Sequence, residues 1–261
     1  MQTDIYIRRR NNSLMLFGLL IVLMIVSIAV TQYDVGRGFT SLFKALEWGL
    51  STFYPDGKSL GKLPDIMAKL WDTILISISS TVTAAVPALF LAFMGSRTTR
   101  AHAAFTAVAR GIGSFFRNMP LVAWAMILML AFSQSSLTGF LALFFGSLGF
   151  LVRAFMEALD EVDTGTIEAL RATGASYFHV VFRSVVPCSS PQIVSWLLFM
   201  IETNIRDATL VGFLTGTGIG FAFDIYYKSF NYHAASLVVV VTVIAVIALE
   251  AISNHIRKAI L

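Results

Sequence analysis

The sequence has few charged residues and almost no cysteine. Only 13% of its 261 residues are Asp, Glu, Lys or Arg, whereas roughly 25% is usual in soluble domains. The single cysteine, Cys188, excludes an intrachain disulfide and a cysteine-rich metal site. Because 57% of the residues are hydrophobic, a soluble domain of this length could not hide the apolar surface. These shortages predict an integral membrane protein.

Motifs for nucleotide binding and for catalysis are also missing. The chain contains no G-x-x-x-x-G-K-[ST] loop, so it cannot hold ATP in the P-loop manner. Its four histidines are scattered, without the spacing of metal ligands. We therefore expect this chain to be no enzyme by itself and to bind no cofactor or metal. The net charge is +4. The basic residues lie at the edges of apolar runs, which indicates membrane topology rather than nucleic-acid binding.

Long charge-poor runs, each bounded by polar residues, recur along the chain. They cover approximately residues 14–30, 73–93, 104–132, 137–155, 185–205 and 234–251. About 20 apolar residues suffice for a helix to cross a bilayer. We therefore predict an all-α, polytopic membrane protein with about six transmembrane helices. Pro120 is expected to kink the third span. Arg8 to Arg10 before the first span, and Arg257 and Lys258 after the last, place both termini in the cytoplasm.

The organisation along the chain predicts two parts. Residues 1–64 would hold the anchor helix and an outer segment, in which residues 39–54 carry apolar side chains at helical spacing and would lie on the membrane surface. Residues 65–261 would form the transmembrane domain. Within it, residues 208–223 are apolar and glycine-rich, but about sixteen helical residues span only roughly 24 Å. We interpret them as a re-entrant or broken segment buried within the protein.

Residues 157–183 form a long polar stretch between the fourth and fifth spans, and the predicted topology makes the loop over residues 157–187 cytoplasmic. Glu168 to Arg171 favour a helix, and Gly174 suits the left-handed residue that ends one. Pro187 marks the entry into the fifth span. The pattern predicts a helix-turn-helix that stands clear of the membrane and presents a compact face to a cytoplasmic partner.

This loop resembles the signature of permeases in binding-protein-dependent ABC importers, which reads E-A-A, three residues, G, nine residues, I-x-L-P. Four positions match in identity and spacing, and Leu170, Ser184 and Val186 replace the third Ala, the Ile and the Leu. The resemblance implies a type I ABC importer transmembrane domain of the MetI-like kind, whose loop docks on the nucleotide-binding subunit. The residues that it assigns to this coupling are Glu168, Ala169, Leu170, Arg171, Gly174 and Pro187.

A narrower resemblance, to phosphonate permeases, covers most of the chain after the first span. Residues 202–212 look like their E-x-N-x-R-x-A-T-x-x-G segment, and residues 216–220 resemble their G-A-G-G-I-G. Residues 171–175 match R-A-T-G-A, and residues 53–56 resemble F-F-P-P-D. The resemblance implies import of phosphonate, or of phosphite or a related oxyanion. It further implies separate ATPase subunits that hold ATP and Mg²⁺, a second permease subunit, a substrate-binding protein on the outer side, and surrounding membrane lipid.

Polar residues at membrane depth are costly and face a cavity or one another. Glu202 and Arg206 are four residues apart, so they meet on one helix face. They would line or gate the translocation path, or form a structural ion pair at the outer rim. Arg117 would reach toward the path or snorkel to the cytoplasmic interface. The predicted pathway residues are Arg117, Glu202, Asn204, Arg206, Thr209, Gly216, Gly218 and Gly220.

Three alternatives remain at this level. The solute could be methionine or another small molecule, since binding specificity resides in a separate binding protein. A secondary transporter would need intramembrane carboxylates, for which only Glu202 and Glu250 are available, and no repeat is evident. A membrane scaffold would not need the loop signature. The sequence leaves open whether the two permease subunits are identical.

Overall fold

A computed structural model describes residues 2–99 and 102–260. By contacts the chain divides into two compact units, Met1–Tyr54 and Pro55–Leu261. All regular elements in the described part of the chain are helical, as the composition and the apolar runs predict.

The first unit consists of two helices. Helix α1 covers Gln2–Thr31 and contains the charge-free run of residues 14–30. Almost all side chains of this run are exposed. Helix α2 covers Val35–Thr52, where a surface helix was predicted. Its N-cap residue Asp34 accepts a hydrogen bond from the backbone N–H of Arg37, 3.0 Å away. This side-chain cap satisfies one of the free N–H groups at the helix start.

The second unit begins with a 3₁₀ turn and continues with nine α-helices and one π-helical turn among the residues described. The elements are the 3₁₀ turn Ser59–Lys62, α3 Leu63–Gly95, α4 Ala103–Asn118, α5 Leu121–Phe132, α6 Ser136–Asp160, α7 Thr164–Ala172, α8 Tyr177–Val180, the π turn Val181–Val185, α9 Val186–Thr215, α10 Gly218–Lys228 and α11 Tyr232–Ile260. Across both units, five helical segments are long and apolar enough to cross a membrane, or six if α4 and α5 count as one span. The prediction of about six spans is confirmed.

The core of the second unit lies where α3, α6 and α9 pack together. Ala84, Ala88 and Ala92 repeat every fourth residue on α3 and are fully buried. They pack against Leu151 and Phe155 of α6. Small side chains let two helix backbones approach closely, which is how helices associate where water provides no driving force between them.

The third span differs from the prediction. Instead of one kinked helix over residues 104–132, the structure has α4 and α5, whose axes meet at 87°. Met119 and Pro120 between them are extended, with ψ angles of 124° and 142°. Proline disfavours the helical conformation of the residue before it and cannot donate a backbone hydrogen bond. Pro120 therefore ends one helix and begins another.

The fifth span is also longer than predicted. Helix α9 continues ten residues past Ile205 to Thr215. The predicted second helix of the loop is present as α8, and it runs through the π turn into α9, so that Tyr177–Thr215 forms one helical segment. The N–H of Val186 bonds to the carbonyl of Val181, five residues back. Because Pro187 has no N–H to donate, this wider turn carries the helix past the proline without breaking it.

Candidate functional site

The polar segment between α6 and α9 contains a short helix, α7, that is not continuous with either of the long helices. Asp163 caps it: its carboxylate accepts the backbone N–H of Gly165 at 3.1 Å and the hydroxyl of Thr166 at 3.2 Å. The Gly165 hydrogen bond, and then that of Thr166, hold the pKa of Asp163 below its ordinary value. The charged cap favours the helix start, because a helix N-terminus carries partial positive charge.

Gly174 ends α7 in the left-handed conformation, with φ of 81°, as predicted. The N–H of Gly174 bonds to the carbonyl of Arg171, and the N–H of Ala175 bonds to the carbonyl of Leu170. This pair of bonds is the Schellman arrangement, in which an apolar contact joins the two outer residues. Leu170 and Ala175 both pack on the main core, so the helix end is fixed in position.

Helix α7 packs against the rest of the protein with one side and is exposed on the other. Ile167 is buried and Leu170 is half-buried, whereas Glu168, Ala169 and Ala172 are exposed. Arg171 is also exposed, on the flank, and Pro187 is exposed in the first turn of α9. The outward surface of α7 thus carries two small alanine side chains beside the charged side chains of Glu168 and Arg171. We call it the α7 face.

Side-chain hydrogen bonds connect the polar segment to the ends of three long helices. The Tyr177 hydroxyl donates to the carbonyl of Thr99, just after α3. Gln192 of α9 donates to the carboxylate of Glu161, at the end of α6, across 2.5 Å. Ser184, which stands at the apolar position of the signature, is buried with its hydroxyl unpartnered. Hydrogen bonds on both sides of α7 thus connect the polar segment to the turn after α3 and to the adjoining ends of α6 and α9.

Glu202 lies at the centre of a charged triad. Its carboxylate meets Arg206 on the same helix at 3.1 Å and Arg257 of α11 at 3.1 Å. The Glu202 side chain is only 8% exposed, whereas that of Arg206 is 47% and that of Arg257 is 27% exposed. The predicted i,i+4 pair is present, and a second arginine, 55 residues away in sequence, completes it. The triad ties α9 to the last turns of α11.

Asn204 lies buried between three helices and does not line an open path in this structure. Its amide nitrogen donates to the hydroxyls of Thr81 on α3 and Ser147 on α6, at 2.7 and 2.6 Å. Its backbone carbonyl accepts the hydroxyl of Ser77 at 3.2 Å. We call these four residues the Asn204 knot. It joins α3, α6 and α9 at one level of the core.

The glycine-rich segment is broken, as predicted, at a tight turn between α9 and α10. Gly216 and Gly218 have φ of 70° and 62°, in the left-handed region that glycine adopts without strain. The N–H of Ile219 bonds to the hydroxyl of Thr73 on α3 at 2.8 Å, so a neighbouring helix caps the start of α10. Much of the segment is buried, and this too was predicted.

Helix α10 packs back closely on the top of α9. A Cβ at Gly220 would overlap the carbonyl oxygen of Thr209. The Thr209 hydroxyl itself donates to the carbonyl of Arg206 at 2.6 Å, so its side chain is occupied by its own helix. The loop before α6 also reaches this turn, since Gln134 donates to the carbonyl of Leu214 at 3.2 Å.

Arg117 lies apart from the α9 residues. It is exposed and lines a cleft of about 560 Å³ between α4 and α6. Arg110 and Arg153 line the same cleft. The eight predicted pathway residues thus fall into three places: the triad with the Asn204 knot, the turn between α9 and α10, and this cleft.

Sequence reasoning missed Arg257 and the partners of Asn204. Arg257 looked like an ordinary basic residue at a membrane edge. A hydroxyl stripe at Thr73, Ser77 and Thr81, every fourth residue of an apolar span, was the available signal for the Asn204 knot.

Across the described residues, no group of three or more His, Cys, Asp and Glu side chains is placed to hold a metal ion.

Comparisons with known proteins give consistent matches. Residues 88–260 match the family described as "Binding-protein-dependent transport system inner membrane component". The "Phosphate-import permease protein PhnE" of Mycolicibacterium smegmatis is 33% identical over 190 residues, which cover 73% of this chain and 36% of that protein. The "Phosphite transport system permease protein PtxC" of Stutzerimonas stutzeri is 32% identical over 189 residues, covering 72% of this chain and 69% of that protein. The match thus spans about a third of the first relative and about two thirds of the second.

A solved structure described as an inward-facing conformation of the MetNI methionine ABC transporter has the same fold. One of its chains aligns with a TM-score of 0.68 at 20% identity, covering 79% of this chain and 99% of that chain. At this identity the likeness shows the fold alone, and it is the fold that the sequence predicted.

Proposed function

This chain belongs to the family of binding-protein-dependent transport system inner membrane components, and from that premise we propose that it carries phosphonate, or a phosphite-like oxyanion, through an ATP-driven importer. In that importer it is the multi-pass permease subunit, and hydrolysis of ATP with Mg²⁺ belongs to separate ATPase subunits. A second permease subunit, an external substrate-binding protein and membrane lipid complete the assembly. Both termini are cytoplasmic in this proposal, beside the basic residues that favour that side.

The α7 face is the observation that carries the proposal. The helix is fixed at its start by Asp163 and at its end by the Schellman turn of Gly174, yet Glu168, Ala169 and Ala172 are exposed. A helix that is fixed at both ends and has small exposed alanines between charged residues suits insertion into a groove on a partner. We infer that the ATPase subunits bind this exposed surface. When the two ATPase subunits close on ATP, they would then push α7.

The motion would pass from α7 into the membrane domain through residues on either side of the helix. Tyr177 holds the loop after α3, and Gln192 holds the end of α6 through Glu161. The rod of α8, the π turn and α9 then continues as one helical segment to Thr215. In this mechanism a rigid-body shift at the cytoplasmic end moves Glu202 and Arg206 relative to α11 and switches the path between its two openings.

The choice of solute rests on the relatives and on charge. One relative is named for phosphate import and another for phosphite transport, and these solutes are tetrahedral phosphorus oxyanions. Arg206 supplies a half-exposed cation on α9, and arginine recognises such anions through its planar fork of N–H donors. Methionine, the alternative that the sequence leaves open, is the runner-up, since a more distant relative is named for methionine import.

Uptake into proteoliposomes tests the solute. The permease would be reconstituted with its ATPase and binding protein and offered methylphosphonate, phosphite, phosphate or L-methionine at equal concentration. ATP-dependent accumulation of a phosphorus oxyanion, with no accumulation of methionine, is the expected result. Accumulation of methionine alone would reject the proposed solute, and accumulation driven by an ion gradient without ATP would reject the importer itself.

A bulky substitution tests the α7 face. We expect Ala169→Trp to block docking of the ATPase and to lower uptake at least tenfold, since an indole would stand where the partner must lie flat. Ala104→Trp, at an exposed alanine near the start of α4, is the matched control and should retain most of the uptake. Equal uptake by both variants would remove the α7 face from the mechanism.

A further inference from the structure

The cleft between α4 and α6 contains more positive than negative side chains. It has a volume of about 560 Å³ and opens to the surface of the isolated chain. Its polar and charged lining includes Arg110, Arg117 and Asn118 from α4, and Arg153, Glu157 and Asp160 from α6. Of the predicted pathway residues, Arg117 alone is among those that line this cleft, whereas the others lie on α9, on α10 or at the turn between them.

Both carboxylates of the cleft already have partners. Glu157 pairs with Arg153 at 2.7 Å. One oxygen of Asp160 accepts the hydroxyl of Ser96 at 2.5 Å and the backbone N–H of Arg97 at 2.7 Å. Asp160 therefore serves mainly to hold the turn after α3 against the end of α6.

Two arginines in the cleft have no anionic partner. Within residues 2–99 and 102–260, no ion pair or side-chain hydrogen bond is found for Arg110 or Arg117. They are seven residues apart on α4, which is nearly two helical turns, so they lie on one face about 10 Å apart along the axis. Each guanidinium group offers five N–H donors and no acceptor. The cleft thus offers donors to an anion from two levels of one helix.

Two glycines fix the helix that carries these arginines. Gly113 on α4 is buried, and a Cβ there would lie 3.0 Å from a methyl carbon of Val152. A Cβ at Gly149 on α6 would overlap the backbone nitrogen of Arg117. Because the two helix backbones lie close together at these points, the packing fixes the part of α4 that carries Arg110 and Arg117.

We propose that the α4–α6 cleft binds a phosphate-type anion between Arg110 and Arg117. The inference rests on the proposed function, because a permease for phosphorus oxyanions meets this group both as its solute and as the headgroup of anionic lipid. The planar fork of arginine matches the oxygens of such a group, and a phosphate-type anion has more oxygens than a carboxylate with which to accept from two arginines. Asn118, next to Arg117 at the C-terminal end of α4, adds a neutral donor.

Binding to the purified transporter in nanodiscs tests the cleft and distinguishes the two sources. In the first arm, methylphosphonate is titrated calorimetrically into discs of phosphatidylcholine. In the second, native mass spectrometry counts phosphatidylglycerol retained from mixed discs. The test variant is Arg110→Ala with Arg117→Ala. Arg183→Ala, which removes an exposed arginine elsewhere, is the matched control.

We expect the double variant to weaken at least one of the two ligands by tenfold or more, while the control binds as the unaltered protein does. Loss confined to the first arm identifies the free solute, and loss confined to the second identifies a lipid headgroup. Arg117→Lys should restore only part of the affinity, because an ammonium group lacks the fork. Unchanged binding of both ligands by a folded double variant would overturn the proposal.

Uptake measured on the same samples separates the two proposals. If the unaltered protein accumulates a phosphorus oxyanion but neither ligand depends on the two arginines, the inference fails and the proposed function stands. If the unaltered protein accumulates none, the proposed function fails, whereas lipid retention that depends on the arginines would still support the cleft as a site for phosphate groups.

Discussion

Two groups of charged side chains in the Pro55–Leu261 unit differ in how their charge is balanced. In the triad, the buried carboxylate of Glu202 is shared by Arg206 and Arg257. In the α4–α6 cleft, the carboxylates are occupied and Arg110 and Arg117 have no anionic partner among the described residues. Paired, buried charge holds helices together, whereas exposed charge without a partner is available to a ligand. The comparison predicts opposite consequences for mutation in the two places.

The largest effect on stability is expected at Glu202. Glu202→Ala leaves two arginines facing each other with no compensating anion, and we expect a loss of about 2–4 kcal/mol, below the usual cost of a fully buried pair because Arg206 is half exposed. The measurement is chemical unfolding in detergent. Glu157→Ala is the matched control: it removes an exposed pair and should cost less than about 1 kcal/mol. Equal losses would contradict the comparison.

A neutral buried group should have an intermediate effect. Asn204→Ala leaves the hydroxyls of Thr81 and Ser147 without their amide donor and opens a small cavity, so we expect it to cost about 1–3 kcal/mol. Asn118→Ala, at an exposed asparagine, provides the reference in the same unfolding assay. A change at Asn204 no larger than this reference would mean that the Asn204 knot does not hold the three helices.

The smallest effect on stability is expected in the cleft. Arg117→Ala removes an exposed side chain that has no ion pair in the described structure, so the free energy of unfolding should change by no more than about 0.5 kcal/mol. The protein should at the same time lose affinity for a phosphate-type anion. A marked loss of stability would instead place Arg117 with the structural residues of the triad.

Local patterns predicted the elements, but not all of their partners. The apolar runs located every long helix, and the E-A-L spacing with Gly174 located α7 and its left-handed end, because those features depend on neighbours in sequence. The contact of Glu202 with Arg257 joins residues 55 positions apart, and only packing of α9 against α11 creates it. No periodicity within either helix carries that information.

Proline was the least certain local signal. Pro120 separates two helices at 87°, although a kink was expected, whereas Pro187 and Pro191 interrupt nothing. The difference lies in what precedes each residue. Met119, before Pro120, adopts the extended conformation. In the π turn before Pro187, the backbone hydrogen bond reaches five residues back instead of four, and the helix continues. The sequence alone does not show which of these two responses a proline will evoke.

Crosslinking of the α7 face to the ATPase subunit tests the central claim most directly. In a Cys188→Ser background, which removes the one native cysteine, Ala169→Cys would be treated in the assembled transporter with a short crosslinker that joins its thiol to a lysine amine of the ATPase. Ile167→Cys, on the buried side of the same helix, is the comparison. The account predicts a crosslink to the ATPase from position 169 and little or none from position 167. A crosslink from neither position, or equal yields from both, would contradict it.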